Sequence, residues 1–451
     1  MNTADLAPFH QPGTPGYLDA CHSFQLAVPV DPAGAFVARS VTDVVRATDV
    51  ARRTGLPLRV STTGHGMGAT APVTGALLVN PQMDDAVRID PEARTARVPA
   101  GARWADVIAA AVPHGLTAVH GSSGTVGVVG FLLGGGISFY GRRFGVAANR
   151  LRSITIVLAD GEVTTASAHE NPDLFWALRG GGGGFGVVVE VEIALVPMRR
   201  IVTGMTVWDA AEAHRLAPAW QRWSVTAPPE VTTSLRLLSV PPLPTVPPQL
   251  AGRHILAIDG AVSAVGDADV PAAERILSDL MTPLTGLAEP IMNTWTTAGP
   301  EALPLTHMDP AEPIPFHSDT ALLEPLDADG WSSLLNAAGV GSSTSLLSVE
   351  FRQLGGAFAE PPADGGVFSH TPAAFLYWAC GLPGEQTGKE LAGVRDALLP
   401  YRTGFTAPTF ADHVDQPRRT YDETTRARVE RIRATVDPGG LFAGGVEPIR
   451  D

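Results

Sequence analysis

The sequence predicts a two-domain protein in which helices and strands are mixed. The chain has 451 residues, which is too long for one compact core. Between about residues 35 and 197, short apolar runs alternate with helical patterns. After about Met198, proline becomes frequent and glycine motifs thin out. We therefore place a domain boundary near Arg200.

The first region predicts short elements in a clear order. Thr42–Thr54 is predicted to be a helix that Gly55 and Pro57 end. The Asp160-Gly161 dipeptide is typical of a hairpin turn. The further elements predicted here are strands at Gly75–Val79 and Ala93–Val98, a helix at Trp104–Val112, hairpin strands at Ser153–Leu158 and Glu162–Ala166, a short helix within 171–179 and a strand at Val187–Val196.

The second region predicts further strands and helices. Its strand candidates are His254–Ile258, Thr344–Gln353 and Ala374–Cys380. The segment Thr424–Ala434 is rich in arginine and predicts an amphipathic helix.

Composition disfavours several classes of protein. The formal net charge is -14, and a nucleic-acid binder normally has a basic surface. No apolar stretch of about 18 residues is uninterrupted, so no transmembrane helix is expected. The N-terminus lacks the pattern of a secretory signal. Cys21 and Cys380 are the only cysteines, which excludes a disulfide framework and favours a cytoplasmic protein.

The first chemical motif is the segment Ser61–Gly68, which reads Ser-Thr-Thr-Gly-His-Gly-Met-Gly. Its glycines allow a tight turn and a close approach of the backbone to a ligand. Successive N–H groups in such a turn suit a diphosphate. His65 would then point at whatever the loop wraps. The alternative is a surface turn that happens to contain a histidine.

Two further glycine clusters follow. Residues 121–136 hold too many glycines for an ordinary helix or strand, so consecutive ligand-wrapping turns are predicted. The pattern is neither a GxGxxG fingerprint nor a Walker A loop. Gly180–Gly184 follow a short helix and precede the apolar stretch Phe185–Val188, which disfavours a flexible linker.

Metal chemistry and serine hydrolase chemistry are not expected. The histidines are scattered, and neither HExxH nor CxxC spacing occurs. The GxSxG nucleophile elbow is also missing.

Taken in order, these motifs resemble the FAD-binding domain of the vanillyl-alcohol-oxidase superfamily, and more narrowly the berberine-bridge-enzyme-like oxidases. The similarity resumes at Asp437-Pro438 and Leu441-Phe442. The resemblance implies an α+β flavoprotein with a PCMH-type FAD-binding domain (residues 1–200) and a substrate-binding domain (201–399) whose antiparallel sheet roofs the flavin. Residues 400–451 would complete the FAD-binding domain.

The resemblance also implies how FAD is held. His65 matches the histidine that bonds covalently to the flavin 8α-methyl carbon. Many members attach FAD a second time through a cysteine, but Ser123 stands at that position and cannot form a thioether. A single covalent bond is therefore predicted. The remaining implied cofactor-binding residues are Thr62, Thr63, Gly64, Gly66, Met67, Gly121, Ser122, Ser123, Thr125, Val126, Gly127, Gly130, Gly186 and Val187.

Several positions depart from the family pattern. Ser61 replaces the usual arginine before the histidine turn, and Gly184 replaces an asparagine. The Tyr-x-Asn motif that often supplies the catalytic base is replaced by Ala-Pro-Thr-Phe at residues 407–410. His370-Thr371 stands where a His-Arg pair is common. The identity of the base is therefore open.

The resemblance implies an FAD-dependent oxidase of a small organic secondary metabolite, acting by alcohol oxidation or oxidative cyclisation. Hydride would pass to flavin N5, and O2 would reoxidise the flavin and yield H2O2. Val126 stands at the family's oxygen gate and favours an oxidase over a dehydrogenase. The expected partners are the substrate and O2, in a monomer or homodimer. The alternatives are cyclisation or elimination without net redox change, and a non-enzymatic flavin-binding protein.

The candidate bases lie on strands expected to face the flavin ring. Tyr377 is the first choice, with a packed core tyrosine as its alternative. Glu350 and Arg352 are two residues apart and share a strand face, so they could bind substrate or form a surface ion pair. The further candidates are His370, His317 and Tyr140.

Overall fold

The computed structural model describes residues 6–244, 246–342, 344–411 and 419–442. Its helices are α1 (Pro15–Ala20), α2 (Val41–Thr54), α3 (Trp104–Ala111), α4 (Val128–Leu133), α5 (Gly141–Phe144), α6 (Pro172–Leu178), α7 (Ala213–Ser224), α8 (Val270–Leu287), α9 (Leu303–Thr306), α10 (Ala328–Ala338), α11 (Glu385–Leu398) and α12 (Glu423–Val436). Its strands are β1 (Gly34–Ala38), β2 (Leu58–Val60), β3 (Leu77–Pro81), β4 (Arg88–Asp90), β5 (Thr95–Pro99), β6 (Leu116–Thr117), β7 (Leu151–Val157), β8 (Val163–Ser167), β9 (Val187–Ala194), β10 (Val196–Pro197), β11 (Arg200–Asp209), β12 (Val231–Ser239), β13 (His254–Ala264), β14 (Met292–Asn293), β15 (Thr296–Ala298), β16 (His317–Leu323), β17 (Ser348–Gln353) and β18 (Phe375–Gly381).

The first region builds two main sheets. A parallel sheet has the strand order β1-β3-β2, and a five-stranded antiparallel sheet has the order β4-β5-β9-β7-β8. Helix α2 begins at a capping box between Ser40 and Asp43, and Gly55 ends it in the left-handed conformation. The predicted helix at Thr42–Thr54 and the predicted hairpin of β7 and β8 are confirmed.

Three predictions in this region need correction. Residues 121–136 are not turns throughout, because Val128–Leu133 form helix α4. Burial of the apolar side chains of that helix outweighs the helix-weakening effect of one glycine. The predicted strand at Val187–Val196 is broken at Leu195, and its last residue, Val196, pairs with β6 instead. The strand predicted at Gly75–Val79 lies two residues later, as β3.

The second region is dominated by an eight-stranded sheet. Its strand order is β14-β11-β13-β12-β17-β18-β16, with β15 also paired to β11, and all its pairs are antiparallel. One face carries apolar side chains such as Leu235, Ile258 and Phe351, which pack against α7, α8, α10 and α11. Because side chains alternate along a strand, the opposite face carries the intervening residues. The predicted α+β class with an antiparallel sheet is confirmed.

The end of the described chain returns to the first region. Leu58 and Phe442 form a parallel β-bridge, and Phe442 packs in the core beside α2. The Asp437 carboxylate accepts hydrogen bonds from the amides of Leu441 and Phe442 at 2.8 and 2.7 Å. The last part of the predicted C-terminal segment, residues 443–451, lies outside the described residues.

Two kinds of feature are missing from the described ranges. None of their helices combines the length and the apolar character needed to cross a membrane. None of their His, Cys, Asp and Glu side chains forms a group of three or more that could hold a metal ion.

Candidate active site

A cavity of about 420 Å³ lies between the glycine clusters of the first region and the polar face of the eight-stranded sheet. Its volume falls in the range of small-molecule and cofactor sites. One wall carries His65, and another carries Glu350, Arg352 and His307. The two regions therefore share one site.

The turn that carries His65 is fixed by close packing. Gly64 has a φ of +75°, and a Cβ there would collide with Ser23. Only glycine tolerates both the positive φ and the close approach of Ser23. The His65 ring stacks on Phe24, with ring centroids 3.8 Å apart and ring planes at 15°. The imidazole is thus held in one plane at the edge of the cavity.

A chain of hydroxyl groups reaches His65 from the second glycine cluster. Thr125 Oγ1 lies 3.2 Å from Nε2 of His65, and Ser123 Oγ lies 2.9 Å from Thr125 Oγ1. Burial lowers the pKa of His65 to about 4, although Asp309 and Thr125 act in the opposite direction. His65 is therefore neutral at physiological pH and has a nitrogen lone pair.

Helix α4 brings its N-terminal end to the cavity. The amide of Gly127, just before the helix, donates to Thr63 Oγ1 at 3.3 Å. Gly130 lies inside the helix and lines the cavity, and a Cβ there would meet no atom within 4 Å. The glycine therefore keeps room open for a ligand.

Thr409 lies in the segment that replaces the Tyr-x-Asn motif, and its side chain holds the three glycines Gly134–Gly136 in place. Its Oγ1 accepts a hydrogen bond from the Gly136 amide at 2.8 Å and donates to the Gly134 carbonyl at 2.6 Å. A Cβ on Gly134 would lie 3.0–3.1 Å from Thr409. This segment thus shapes the cofactor-side wall and supplies no tyrosine base.

The third glycine cluster also lines the cavity. Gly182, Gly183 and Gly184 contribute to its wall. Arg433 of α12 donates to the carbonyls of Gly181 and Gly183 at 2.9–3.2 Å. Hydrogen bonds therefore hold the loop Gly180–Gly184 in place, and it is not a flexible linker, as predicted from the apolar sequence that follows it.

A cluster of buried charges lies on the sheet side of the cavity, centred on His307 just after α9. Nδ1 of His307 lies 3.1 Å from Asp259, and Nε2 lies 3.3 Å from Glu350 and 3.2 Å from Nη2 of Arg352. Arg352 Nε donates to Glu350 at 2.7 Å. Arg236 forms a short ion pair with Asp259. The sheet register brings these side chains together, since Arg236 pairs with Glu350 across β12 and β17.

The charges of this cluster shift the pKa of each member. Burial acts to lower the pKa of His307, as does Arg236, but Asp259, Asp309 and Glu350 together raise it to about 9. Burial acts to raise the pKa of Glu350, but Arg352 and His307 hold it well below its usual range. His307 is therefore an imidazolium at pH 7, beside ionised carboxylates.

Local backbone and aromatic contacts fix this cluster. Met308 has a φ of +56°, which is unfavourable for a non-glycine residue. The residues on both sides of it, His307 and Asp309, line the cavity. The Arg352 guanidinium lies over the rings of Phe139 and Phe410, at 4.6 and 5.3 Å from their centroids.

The structure brings most of the predicted cofactor residues to this one cavity. Thr125 and Val187 do not line it: Thr125 acts through its contact with His65, and Val187 is fully buried in the core beside α2. The predicted residues that do line it are Thr62, Thr63, Gly64, His65, Gly66, Met67, Gly121, Ser122, Ser123, Val126, Gly127, Gly130 and Gly186.

Of the predicted bases, the fold brings only Glu350 to the cavity. Tyr377 was expected to face it but lies on the other side of β18, in the core against the helices, where burial raises its pKa well above the usual value. Tyr140 is buried in the first core beside His120. His370 is solvent-exposed, and His317 is half-buried at the start of β16 outside the cavity lining.

Sequence reasoning missed His307, Asp309 and Asp259. Asp259 had a weak signal, because it is a single charge inside the long apolar strand β13. His307 and Asp309 lie in an irregular segment with no motif. Only the crossing of distant strands reveals them as one cluster.

The comparisons with known proteins agree with this geometry. Residues 32–167 match the family described as FAD binding domain. An uncharacterized FAD-linked oxidoreductase of Bacillus subtilis, YvdP, is 25% identical over 450 residues, or 95% of each chain. The structure of BBE-like 1 from Physcomitrella patens superposes with a TM-score of 0.81 at 18% identity, covering 98% of this chain and 97% of that one.

This chain is an FAD-dependent oxidoreductase, and its fold is the berberine-bridge-enzyme-like fold. A glucooligosaccharide oxidase from Acremonium strictum, described as carrying 6-S-cysteinyl, 8α-N1-histidyl FAD, has a TM-score of 0.78 at 22% identity, covering 98% of this chain and 97% of that one.

The residues of this oxidoreductase fit FAD. The glycine clusters leave open space at Gly130 that no side chain fills. His65 is neutral, and its contact with the Thr125 hydroxyl is at Nε2. The wall near the first cluster is built from small residues and backbone, which suits a diphosphate. The apolar side chains of Ile137 and Val188 also line the cavity and suit an aromatic ring system.

Proposed function

We propose that this oxidoreductase is an oxidase of a small organic molecule, a secondary metabolite, and holds FAD through one covalent bond to His65. One observation supports it most: His65 and the charge cluster around His307 line the same cavity from different walls. When bound, FAD would supply hydride acceptance from the substrate and reoxidation by O2.

The charge cluster supports a proton-transfer role for His307. The Asp259 carboxylate accepts a hydrogen bond from Nδ1–H of His307. Nε2 of the same ring therefore faces Glu350 and Arg352, which line the cavity. A buried aspartate that orients a histidine in this way is a recurrent arrangement for proton transfer. Because its pKa of about 9 keeps His307 protonated at pH 7, the imidazolium would stabilise the negative charge that develops on the substrate oxygen. It would accept the substrate's proton as a base only in its neutral form, which becomes populated as the pH rises towards 9.

Glu350 and Arg352 would then bind and orient the substrate. Arg352 is held over two aromatic rings and pairs with Glu350 at 2.7 Å, so both groups have fixed positions. Glu350 is an ionised hydrogen-bond acceptor, and Arg352 is a donor. A hydroxyl group of the substrate fits between an acceptor and a donor of this kind.

Two positions support the finer parts of the proposal. Ser123 lines the cavity where many relatives have a cysteine, so a second bond at that position is excluded chemically. Val126 lines the cavity as well and, by the resemblance, would admit O2 to the flavin. The partners of the oxidase are then its substrate and O2, with the chain as a monomer or homodimer.

Covalent attachment is tested by the mass of the denatured protein. The wild-type chain should carry the mass of one FAD, and His65→Ala should lose it. Replacing the exposed His169 by alanine is the matched control and should keep it. Release of all the flavin from the wild-type chain in acid would contradict the covalent bond.

The oxidase activity is tested without knowledge of the substrate. The flavin is reduced with dithionite under nitrogen and then mixed with air-saturated buffer. Reoxidation within seconds, with one H2O2 per flavin, is expected. Reoxidation over many minutes would contradict an oxidase. With a candidate alcohol, bleaching of the flavin band before O2 is added is expected, whereas product without bleaching would favour a reaction with no net redox change.

A further inference from the structure

The imidazole of His65 is held by Thr125. Nε2 lies 3.2 Å from Thr125 Oγ1, and Thr125 is tied to Ser123 both by the 2.9 Å contact between their hydroxyls and by its amide, which donates to Ser123 Oγ at 3.3 Å. The stacking on Phe24 fixes the plane of the ring. The side-chain contact of the ring with Thr125 is at Nε2, and the backbone of Thr125 also interacts with the ring.

We infer that Thr125, supported by Ser123, is a positioning residue that directs the attachment of FAD to Nδ1 of His65. The inference rests on the proposed covalent attachment and adds the residue that prepares it. Ser123 thus has a role of its own at the position where a second bond would otherwise form.

We assign the single proton of the neutral ring to Nε2. Nε2–H of His65 then donates to Thr125 Oγ1, and the Thr125 hydroxyl donates to Ser123 Oγ. In this tautomer the lone pair lies on Nδ1, which is the form needed for attack on carbon. The depressed pKa of His65, about 4, keeps the ring neutral and so keeps that lone pair available.

The attachment balances as a two-electron oxidation. The Nδ1–C8α bond forms and one C–H bond of the 8α-methyl group breaks. The flavin takes up the two electrons, together with the proton of that methyl group and the proton that leaves Nε2 of the imidazole along the Thr125 hydroxyl. O2 then takes both electrons and both protons, gives H2O2 and restores the oxidised flavin.

The test compares Thr125→Val, which keeps the shape and removes the hydroxyl, with Thr125→Ser, which keeps the hydroxyl. Flavin-free protein is incubated with FAD in air, and covalent attachment is followed over time by the mass of the denatured chain. Thr125→Val should attach FAD roughly tenfold more slowly or worse. Thr125→Ser should stay within about twofold of wild type, and Ser123→Ala should be intermediate.

Flavin absorbance of the native protein after gel filtration reports noncovalent binding, which the positioning role leaves intact. NMR of the flavin peptide cut from each variant shows which nitrogen is bonded. Attachment by Thr125→Val at the wild-type rate and only at Nδ1 overturns the inference. If Thr125→Val does not fold, Ser123→Ala provides the test. An unchanged rate of covalent FAD attachment in Ser123→Ala then overturns the inference. A wild-type chain with no covalent FAD overturns the proposed attachment itself, so the two failures are distinguishable.

Discussion

At the scale of single residues, Tyr377 shows how one position along a strand changes a side chain's role. It lies between Leu376 and Trp378, both on the side of the sheet that faces the first region, whereas its own ring packs with Phe351 against the helices. Its hydroxyl is buried, and none of the described residues gives it a hydrogen-bond partner. Alternation along β18 therefore removes it from the chemistry.

We predict that Tyr377→Phe leaves the rate of flavin reduction unchanged. It should also keep or raise stability, by about 0–1 kcal/mol, because it removes an unpaired buried hydroxyl. Stopped-flow reduction and urea unfolding measure the two effects. Tyr377→Ala is the control for packing and should cost about 3–5 kcal/mol. A large fall in the reduction rate of Tyr377→Phe would restore tyrosine as the base.

His307 makes the stability of the protein depend on pH. Its folded pKa of about 9 is above the unfolded value of about 6.5. The stabilisation is therefore complete below pH 6.5 and is lost as pH rises through 9. The groups that face this ring are Asp259, Arg236, Glu350, Arg352 and Asp309.

We predict that the advantage in unfolding free energy of wild type over His307→Gln falls between pH 6.5 and pH 9.5. The change should be on the order of 3 kcal/mol, which the pKa shift implies. Urea unfolding at several pH values measures it, with exposed His169→Gln as the control. A difference independent of pH would show that His307 is neutral in the folded protein.

At the scale of elements, helix α4 explains why so much glycine is compatible with regular structure. Its apolar residues Val128, Phe131 and Leu132 are buried, so tertiary packing stabilises a short helix that local propensity disfavours. Gly136, after the helix, has a φ of +85°, and a Cβ there would collide with the ring of Phe131. Gly130 has open space instead. The two glycines therefore serve different purposes.

We predict opposite effects for alanine at these two positions. Gly136→Ala should destabilise the flavin-free protein by more than about 1 kcal/mol, because of its backbone conformation and the collision. Gly130→Ala should leave stability equal or raise it by up to about 1 kcal/mol, since it improves the helix, yet it should weaken FAD uptake. Thermal unfolding and flavin content measure both effects. Normal FAD uptake by Gly130→Ala would show that this space is not used by the cofactor.

At the scale of the whole molecule, Arg142 of α5 joins the two regions. Its buried guanidinium donates to the carbonyls of Val231 at 2.8 Å, Ala227 at 2.6 Å and Leu354. All three carbonyls belong to the second region. Because the cavity is formed by both regions, this joint also fixes the distance between its walls.

We predict that Arg142→Met destabilises the protein by at least about 3 kcal/mol, since three buried carbonyls lose their donor. The calorimetric transition should broaden or split, because the two regions would unfold less cooperatively. The neighbouring Arg143→Met is the control. Arg143 is less buried, contacts Ser263 at 3.2–3.3 Å and lies over the Phe144 ring, and its replacement should cost below about 1 kcal/mol. A single sharp transition near the wild-type temperature would contradict this role.

The sequence by itself determined the cofactor side of the site. The turn at His65 and the glycines around it are local features. A backbone conformation that favours glycine places a glycine at that position of the sequence, so it can be predicted without knowledge of the fold. The boundaries of α2 and of the β7–β8 hairpin were predictable for the same reason, because caps and turns act over a few residues.

The tertiary structure decided the substrate side. Asp259, His307 and Glu350 come from β13, the segment after α9, and β17. Only the antiparallel register places Asp259 and Glu350 on the two sides of His307, at 3.1 and 3.3 Å from its ring nitrogens. The same register turned Tyr377 away from the cavity. Side-chain direction in a sheet depends on pairing between distant strands, and no local pattern carries that information.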